Sequence, residues 1–313
     1  MSLFLGIDTS NYTTSCALYD SETGSVKSLK KLLPVKSGEK GIRQSDAVFH
    51  HTKQLPELMQ QLFDANKNIS CVSCSCAPRN EKGSYMPCFL VGESAARCIS
   101  AAGGIKCYPT YHQTGHILAA LYSCKRLDLL KSNKSFLAFH VSGGTTDMLL
   151  CKPCSDGVIE IKRIGCSLDL KAGQAVDRVG LMLGLDFPCG AELEKLADKS
   201  TADFSIKPVL KGFDCCLSGL ENKCKDMISG GAQPQDTARF CLEYLGCTIK
   251  GMTQAALSEY GEMPVVFAGG VMSDAIIKNM LMSVCGGYFA QPEFSCDNAA
   301  GVALYGAIME GVI

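Results

Sequence analysis

Two short stretches of this 313-residue chain share one design, and that repetition limits the fold more than any other feature. Leu3-Phe4-Leu5-Gly6-Ile7 runs into Asp8-Thr9-Ser10 and then into the alternation of Ser15-Cys16-Ala17-Leu18-Tyr19, which reads as a strand, a tight turn holding Asp8, and a returning strand. A second apolar strand over 135–140 ends in Ser142-Gly143-Gly144-Thr145-Thr146-Asp147, after which Met148-Leu149-Leu150 resumes the strand pattern. The units at 3–19 and 136–151 point to an internally duplicated fold, each half supplying one phosphate-facing turn.

Helical patterns fill the intervals. The spacing of Val48, Leu55, Leu58, Met59 and Leu62 predicts a helix from about Ser45 to Phe63 with Ser45 as its N-cap. Another is expected from about Leu90 to Ala102, stopped by Gly103-Gly104. Helices dominate from Lys171 until Pro264-Val265-Val266-Phe267-Ala268-Gly269-Gly270-Val271, a strand running into a glycine turn and a helix, and a last helix closes the chain from about Asp297 to Met309. No stretch reads as a flexible linker, so two domains packed around a cleft are expected.

Composition narrows the function classes. A hydrophobic content of 47% suits a folded core rather than disorder. Lys and Arg number 30 against 31 Asp and Glu, so no global basic field attracts nucleic acid, and RNA binding would need a local patch or a partner. The start reaches Asp8 without a basic leader, and no apolar run is long enough to span a membrane, which leads us to expect a cytoplasmic protein without a membrane partner. Nineteen cysteines read as small buried residues: Cys151-Lys152-Pro153-Cys154 has no second CxxC to complete a four-thiolate zinc site.

His112-Gln113-Thr114-Gly115-His116 sets two of the five imidazoles at i and i+4, on one helix face, where they can share a metal ion. A pair of plain surface or core histidines is the alternative. Peptide hydrolysis of the HExxH type is disfavoured, because Gln113 cannot serve as the general base. The Asp8 turn, the Gly143-Gly144 turn and the Gly269-Gly270 turn could each present backbone N–H groups to an anion, the last with a helix N-terminus behind it. Each alone is equally a structural hairpin; three together favour nucleotide binding.

Taken in order, Gly6-Ile7-Asp8-Thr9-Ser10, His112-xxx-His116, Val141-Ser142-Gly143-Gly144, Gly173-Gln174-Ala175-Val176-Asp177-Arg178, Ser218-Gly219-Leu220, Ala268-Gly269-Gly270-Val271 and Cys296-Asp297-Asn298 resemble the TsaD-type threonylcarbamoyl transferases, once called O-sialoglycoprotein endopeptidases or glycoproteases. The resemblance runs over nearly the whole chain and includes Leu181 to Gly190 at the expected distance after Asp177. It implies an actin-like ATPase fold of the α/β class, with one subdomain over 1–118 joined by 297–313 and a second over 119–296. It also implies one divalent metal, iron or zinc, on His112, His116 and Asp297, although Asp297 could be a helix N-cap. An adenine nucleotide (ATP, AMP or threonylcarbamoyl-AMP) would lie along His140, Val141, Ser142, Gly143 and Gly144, with Asp177, Gly190 and Asp274 around it and Asp8, Thr9 and Ser10 as a phosphate turn. The implied reaction transfers threonylcarbamoyl from threonylcarbamoyl-AMP to the adenosine after the anticodon of tRNA. The implied partners are tRNA held through a complex, an accessory or homologous subunit, and a synthase of threonylcarbamoyl-AMP upstream.

The chain departs from the family pattern in places. Asn11-Tyr12-Thr13-Thr14 stands where the family continues Cys-Asp-Glu-Thr, which removes two carboxylates. Ala77-Pro78-Arg79 replaces a Gly-Pro-Gly turn and precedes an apparent insertion over 80–87, Thr114 replaces a Glu between the histidines, and Asp274 replaces an Asn. A divergent paralogue that binds nucleotide and metal in a regulatory or scaffolding role is therefore the alternative. A small-molecule kinase, suggested by Thr145-Thr146-Asp147, is a third reading that the histidine pair disfavours.

Overall fold

The structure, a computed structural model, describes residues 2–10, 12–34, 42–63, 68–154 and 158–313. They form two compact units, one of Met1–Asp128, Cys154–Ile159 and Asp297–Ile313, the other of Leu129–Pro153 and Glu160–Cys296.

In the first unit, strands β1 (Leu3–Ser10), β2 (Thr13–Asp20), β3 (Ser25–Leu32), β4 (Ile69–Ala77) and β5 (Lys106–Tyr111) make one sheet in the order β3-β2-β1-β4-β5. β1 pairs antiparallel with β2 and parallel with β4. Helices α1 (Gln44–Leu62), α2 (Phe89–Gly103), α3 (His112–Ser123) and the closing helix Ala300–Met309 complete the unit. Strand alternation decides what each face meets. Leu3, Leu5 and Ile7 join Leu55, Leu58 and Ala96 of α1 and α2. Phe4 joins Ala299, Ala303 and Leu304 on the opposite face, where a Cβ on Gly6 would overlap the Ala303 amide. Thr9 follows the first face: its hydroxyl donates to the Cys88 carbonyl and accepts from the Gly92 amide. Asp8 and Ser10 follow the second. Asp8, expected at a turn, instead lies inside β1 opposite Ser15, and the strand continues to Ser10 opposite Thr13.

Two expected caps are corrected. α1 begins at Gln44 after Arg43, and the Ser45 hydroxyl turns to the Asp46 carboxylate instead of capping the helix. The closing helix begins at Ala300, and Asn298, not Asp297, accepts the Ala300 amide. The stop of α2 is as expected, with Gly104 in the left-handed conformation at φ 61°.

The second unit repeats the sheet. β6 (Phe136–Val141), β7 (Thr146–Cys154), β8 (Val158–Cys166), a short hairpin β9 (Leu210–Lys211) and β10 (Asp214–Cys215), β11 (Val265–Ala268) and β12 (Tyr288–Phe289) give a main sheet ordered β12-β11-β6-β7-β8. β6 pairs antiparallel with β7 and parallel with β11, as β1 does with β2 and β4. Helices α4 (Ala172–Met182), α5 (Gly190–Ala197), α6 (Ser218–Ser229), α7 (Pro234–Tyr260), α8 (Ala275–Cys285) and the short α9 (Pro292–Ser295) follow in turn, which makes the closing helix α10. Leu137, Phe139, Val141 and Met148 pack with Val176, Val179, Leu245 and Ile277 in one buried core. Each such side chain contributes roughly 1.5–3 kcal/mol. No disulfide joins cysteines among the described residues; buried Cys71 and Cys74 lie on opposite faces of β4, as small core residues.

Candidate metal centre and glycine turn

In the first unit β5 ends at Tyr111, still extended at φ −112°, and α3 starts at once with His112. The Gln113 amide donates to the carbonyl of Pro78, which fixes the helix start. The i, i+4 spacing sets His112 and His116 on one face, edge to face with ring centroids 4.3 Å apart. Asp297 reaches them because α3 and α10 cross with almost nothing between: a Cβ on Gly301 would fall on the Gly115 carbonyl, and one on Gly115 would meet Val302 at 3.0 Å. Helix axes held that close bring the residue four places before Gly301 beside His116.

Three donor atoms converge. His112 Nε2 lies 2.9 Å from His116 Nε2, and Asp297 Oδ1 is 3.6 and 3.3 Å from those nitrogens. The ligand atoms all lie within 4.8 Å of one another, and this is the one such group of three among the described residues. Two imidazoles and one carboxylate suit iron or zinc and leave coordination positions open, so the donor set fits the expected divalent ion. The other oxygen of Asp297 accepts from the Ser10 and Thr13 hydroxyls at 3.4 and 3.3 Å, which turns Oδ1 toward the histidines.

Behind His112 stands Asp8, which is 1% exposed. One oxygen accepts the Ser10 amide at 2.9 Å; the other accepts the Ser75 hydroxyl at 2.5 Å and meets His112 Nδ1 at 2.8 Å. A buried carboxylate is tolerable only with such partners. Burial raises the pKa of Asp8, but the His112 imidazole and the Ser75 hydrogen bond outweigh it and hold the carboxyl below its usual range. Burial likewise opposes charge on Asp297, and hydrogen bonds from His112 and His116 hold it well below that range. For His112 burial disfavours the cation, yet Asp8 and Asp297 push it up to about 10.

Asp8, Thr9 and Ser10 thus spend their side chains on protein partners. Sequence reading does not single out Ser75 and Thr13 as site residues; they reach the site only through the pairing of β1 with β4 and β2. Of the Asn11-to-Thr14 departure, Asn11 lies outside the described residues, Tyr12 is exposed, and Thr14 faces α1, where it bonds His51 and Gln54.

The second unit gathers the remaining expected residues around the end of β6. His140 and Val141 close the strand, and the Ser142 amide donates to the Thr145 carbonyl at 2.7 Å to form the turn. Gly143 and Gly144 are exposed, and a Cβ on either would meet nothing within 4 Å. α4 backs the turn closely: a Cβ on Gly173 would stand 2.6 Å from the Gly143 nitrogen. Gly269, at φ +100°, brings its backbone against Val141. Asp177 accepts the Cys189 amide at 3.0 Å and so braces the start of α5 at Gly190.

Beyond the Gly269-Gly270 turn, the start of the next long helix is occupied by side chains. Gly270–Ser273 forms a short 3-10 turn, and the first amides of α8 are taken by carboxylates, Ile277 by Asp274 and Ala275 by Glu194. A helix start already filled with negative charge repels phosphate. Burial pushes Asp274 up to about 6, with Glu194 and Asp198 adding to the effect.

Solved structures of the same architecture define the class. The chain matches (R)-2-hydroxyglutaryl-CoA dehydratase component A from Acidaminococcus fermentans at TM-score 0.58 and 14% identity, covering 99% of this chain and 100% of that one. It matches the 2-hydroxyisocaproyl-CoA dehydratase activator from Clostridium difficile, solved with bound ADPNP, at 0.52 and 11%, covering 99% and 96%. HypF of T. kodakarensis matches at 0.64 and 13%, covering 99% of this chain and 48% of that chain. The fold is that of the actin-like ATPases. Within it, the family model described as TsaD, tRNA N6-adenosine threonylcarbamoyltransferase, matches residues 29–304, and the chain belongs to that family. No helix among the described residues is long and apolar enough to cross a membrane.

Proposed function

We propose that the chain transfers a threonylcarbamoyl group from threonylcarbamoyl-AMP to the exocyclic amine of the adenosine following the anticodon of tRNA. The observation that carries this reading is the convergence of His112, His116 and Asp297 in a chain of this family. In the reaction the amine attacks the carbamoyl carbon, a C–N bond forms, the C–O bond of the mixed anhydride breaks, AMP leaves with the electron pair, and the amine gives up one proton to solvent. Iron or zinc held by the three side chains would supply a Lewis acid for the developing negative charge. Ser10 and Thr13 orient Asp297, and the open Gly143-Gly144 turn offers backbone amides to the nucleotide phosphate. Asp177 and Gly190 border the nucleotide, with Asp274 farther along the same unit. The bound ADPNP of the Clostridium difficile relative supports an adenine nucleotide. A near-neutral chain fits work in the cytoplasm through a complex with tRNA, an accessory or homologous subunit, and an upstream synthase of threonylcarbamoyl-AMP.

One observation favours a second reading, a paralogue that binds nucleotide and metal without transfer. Thr13 stands where the family has a carboxylate, and its hydroxyl is used on Asp297. Transfer of labelled threonine to tRNA by the purified protein, given threonylcarbamoyl-AMP and partner subunits, separates the two. We expect label in tRNA that is lost in His112→Ala and Asp297→Ala. No label from a wild-type protein that binds nucleotide and metal would establish the paralogue.

A further inference from the structure

We propose that Asp8 is the positioning residue of the metal centre, fixing the proton of His112 on Nδ1 so that Nε2 offers its lone pair to the ion. The inference rests on the metal reading above and assigns Asp8 a task other than phosphate binding. Three contacts define it. The Ser10 amide holds one oxygen of Asp8, which sets the rotation of the carboxylate. The Ser75 hydroxyl and His112 Nδ1 then share the other oxygen, and an ionised carboxylate is an acceptor only, so Nδ1 carries a proton in the imidazolium and in the neutral ring alike, and the Nε2 proton is the one an incoming ion displaces. That leaves Nε2 facing His116 and Asp297. A carboxylate behind a metal-bound imidazole fixes both ring orientation and tautomer, and its loss typically weakens metal binding about 10–100-fold.

The geometry makes an unusual demand on substitutions. In Asp8→Asn the Ser10 amide requires an acceptor, so the side-chain oxygen must stay there and the NH2 must face His112. That group donates to Nδ1, which moves the imidazole proton onto Nε2, where the ion would bind. Asp8→Ala removes the acceptor but imposes no tautomer. Zinc affinity should therefore fall in the order wild type, Ala, Asn, roughly tenfold for Ala and at least about 100-fold for Asn. A residue needed only for packing gives the reverse order, since Asn keeps the shape and Ala leaves a hole.

The test is zinc binding by the full-length chain and both variants at matched pH, with circular dichroism as the check on folding. Nitrogen-15 NMR of the zinc-loaded wild type should show a slowly exchanging proton on His112 Nδ1. This measurement decides the matter even if a variant fails to fold. An Asn variant that binds zinc as tightly as wild type, or a zinc-loaded protein whose His112 proton lies on Nε2, overturns the positioning role alone. A wild type that does not bind zinc or ferrous iron removes the metal reading and this inference together.

Discussion

The two units share strand order and the directions of the pairs around β1 and β6, yet the ends of their first hairpins carry opposite chemistry. In the first, β1 and β2 stay paired to Ser10 and Thr13, so only residues 11 and 12 make the connection, and Asp8, Ser10 and Thr13 point into the protein toward α3 and α10. In the second, β6 and β7 separate after Val141 and Thr146, and residues 142–145 form a turn with two exposed glycines. The short connection gathers carboxylates and imidazoles suited to a cation. The longer one bares backbone suited to an anion. Electrostatics follow the same division: Asp8 and Asp297 are held ionised by histidines, whereas Asp274 is pushed toward its neutral form. A duplicated framework thus presents two different chemistries by changing loop length and the side chains at one strand end.

The largest way to break this division is Gly301→Ala. The new methyl falls on the Gly115 carbonyl of α3, and we expect about 3 kcal/mol of destabilisation in a urea titration, together with loss of zinc binding. Unchanged urea midpoint and zinc affinity would remove the close crossing as the cause of ligand convergence. Gly173→Ala probes the other unit, where the methyl presses on the Gly143 backbone. Here the expected cost is roughly 2 kcal/mol, with ATP binding weakened about tenfold and zinc binding retained. Nucleotide affinity equal to wild type would clear the turn of a phosphate role.

Asp274→Asn sharpens the electrostatic contrast, with an effect that appears only as pH changes. Because the folded pKa of Asp274, about 6, lies above the ordinary value of 3.8, its contribution to stability is fully present below that ordinary value and is lost as pH rises through 6. Asn keeps an acceptor for the Ile277 amide and cannot ionise. Thermal melts of wild type should therefore lose on the order of 2 kcal/mol between pH 4 and 6.5 that the Asn variant retains. Parallel pH profiles for the two proteins would show that Asp274 titrates normally.

Much of this arrangement was readable in the chain and some was not. The strand pairs of both units and the i, i+4 histidines follow from periodicity, a local property. Asp297 cannot be found that way, because it meets His116 only through the contact of two helices far apart in sequence. Ser75 required the parallel register of β1 with β4, which no local pattern encodes. The Ser45 cap failed because the helix starts at Gln44 after Arg43, which places Ser45 inside the first turn. Glu194, on another helix, takes the Ala275 amide at the start of α8, a contact that no local pattern encodes.

Where α3 and α10 meet, the Gly301 backbone lies against the Gly115 carbonyl and the Val302 side chain packs on Gly115. The separation of the two helices that carry Asp297 and the histidine pair is consequently set largely by peptide geometry at Gly301, which is the same in every sequence. Surrounding core residues can then drift without detuning the ligand spacing. An engineer could exchange the three ligand types at 112, 116 and 297 for another metal's preference while keeping Gly115 and Gly301 as a fixed gauge.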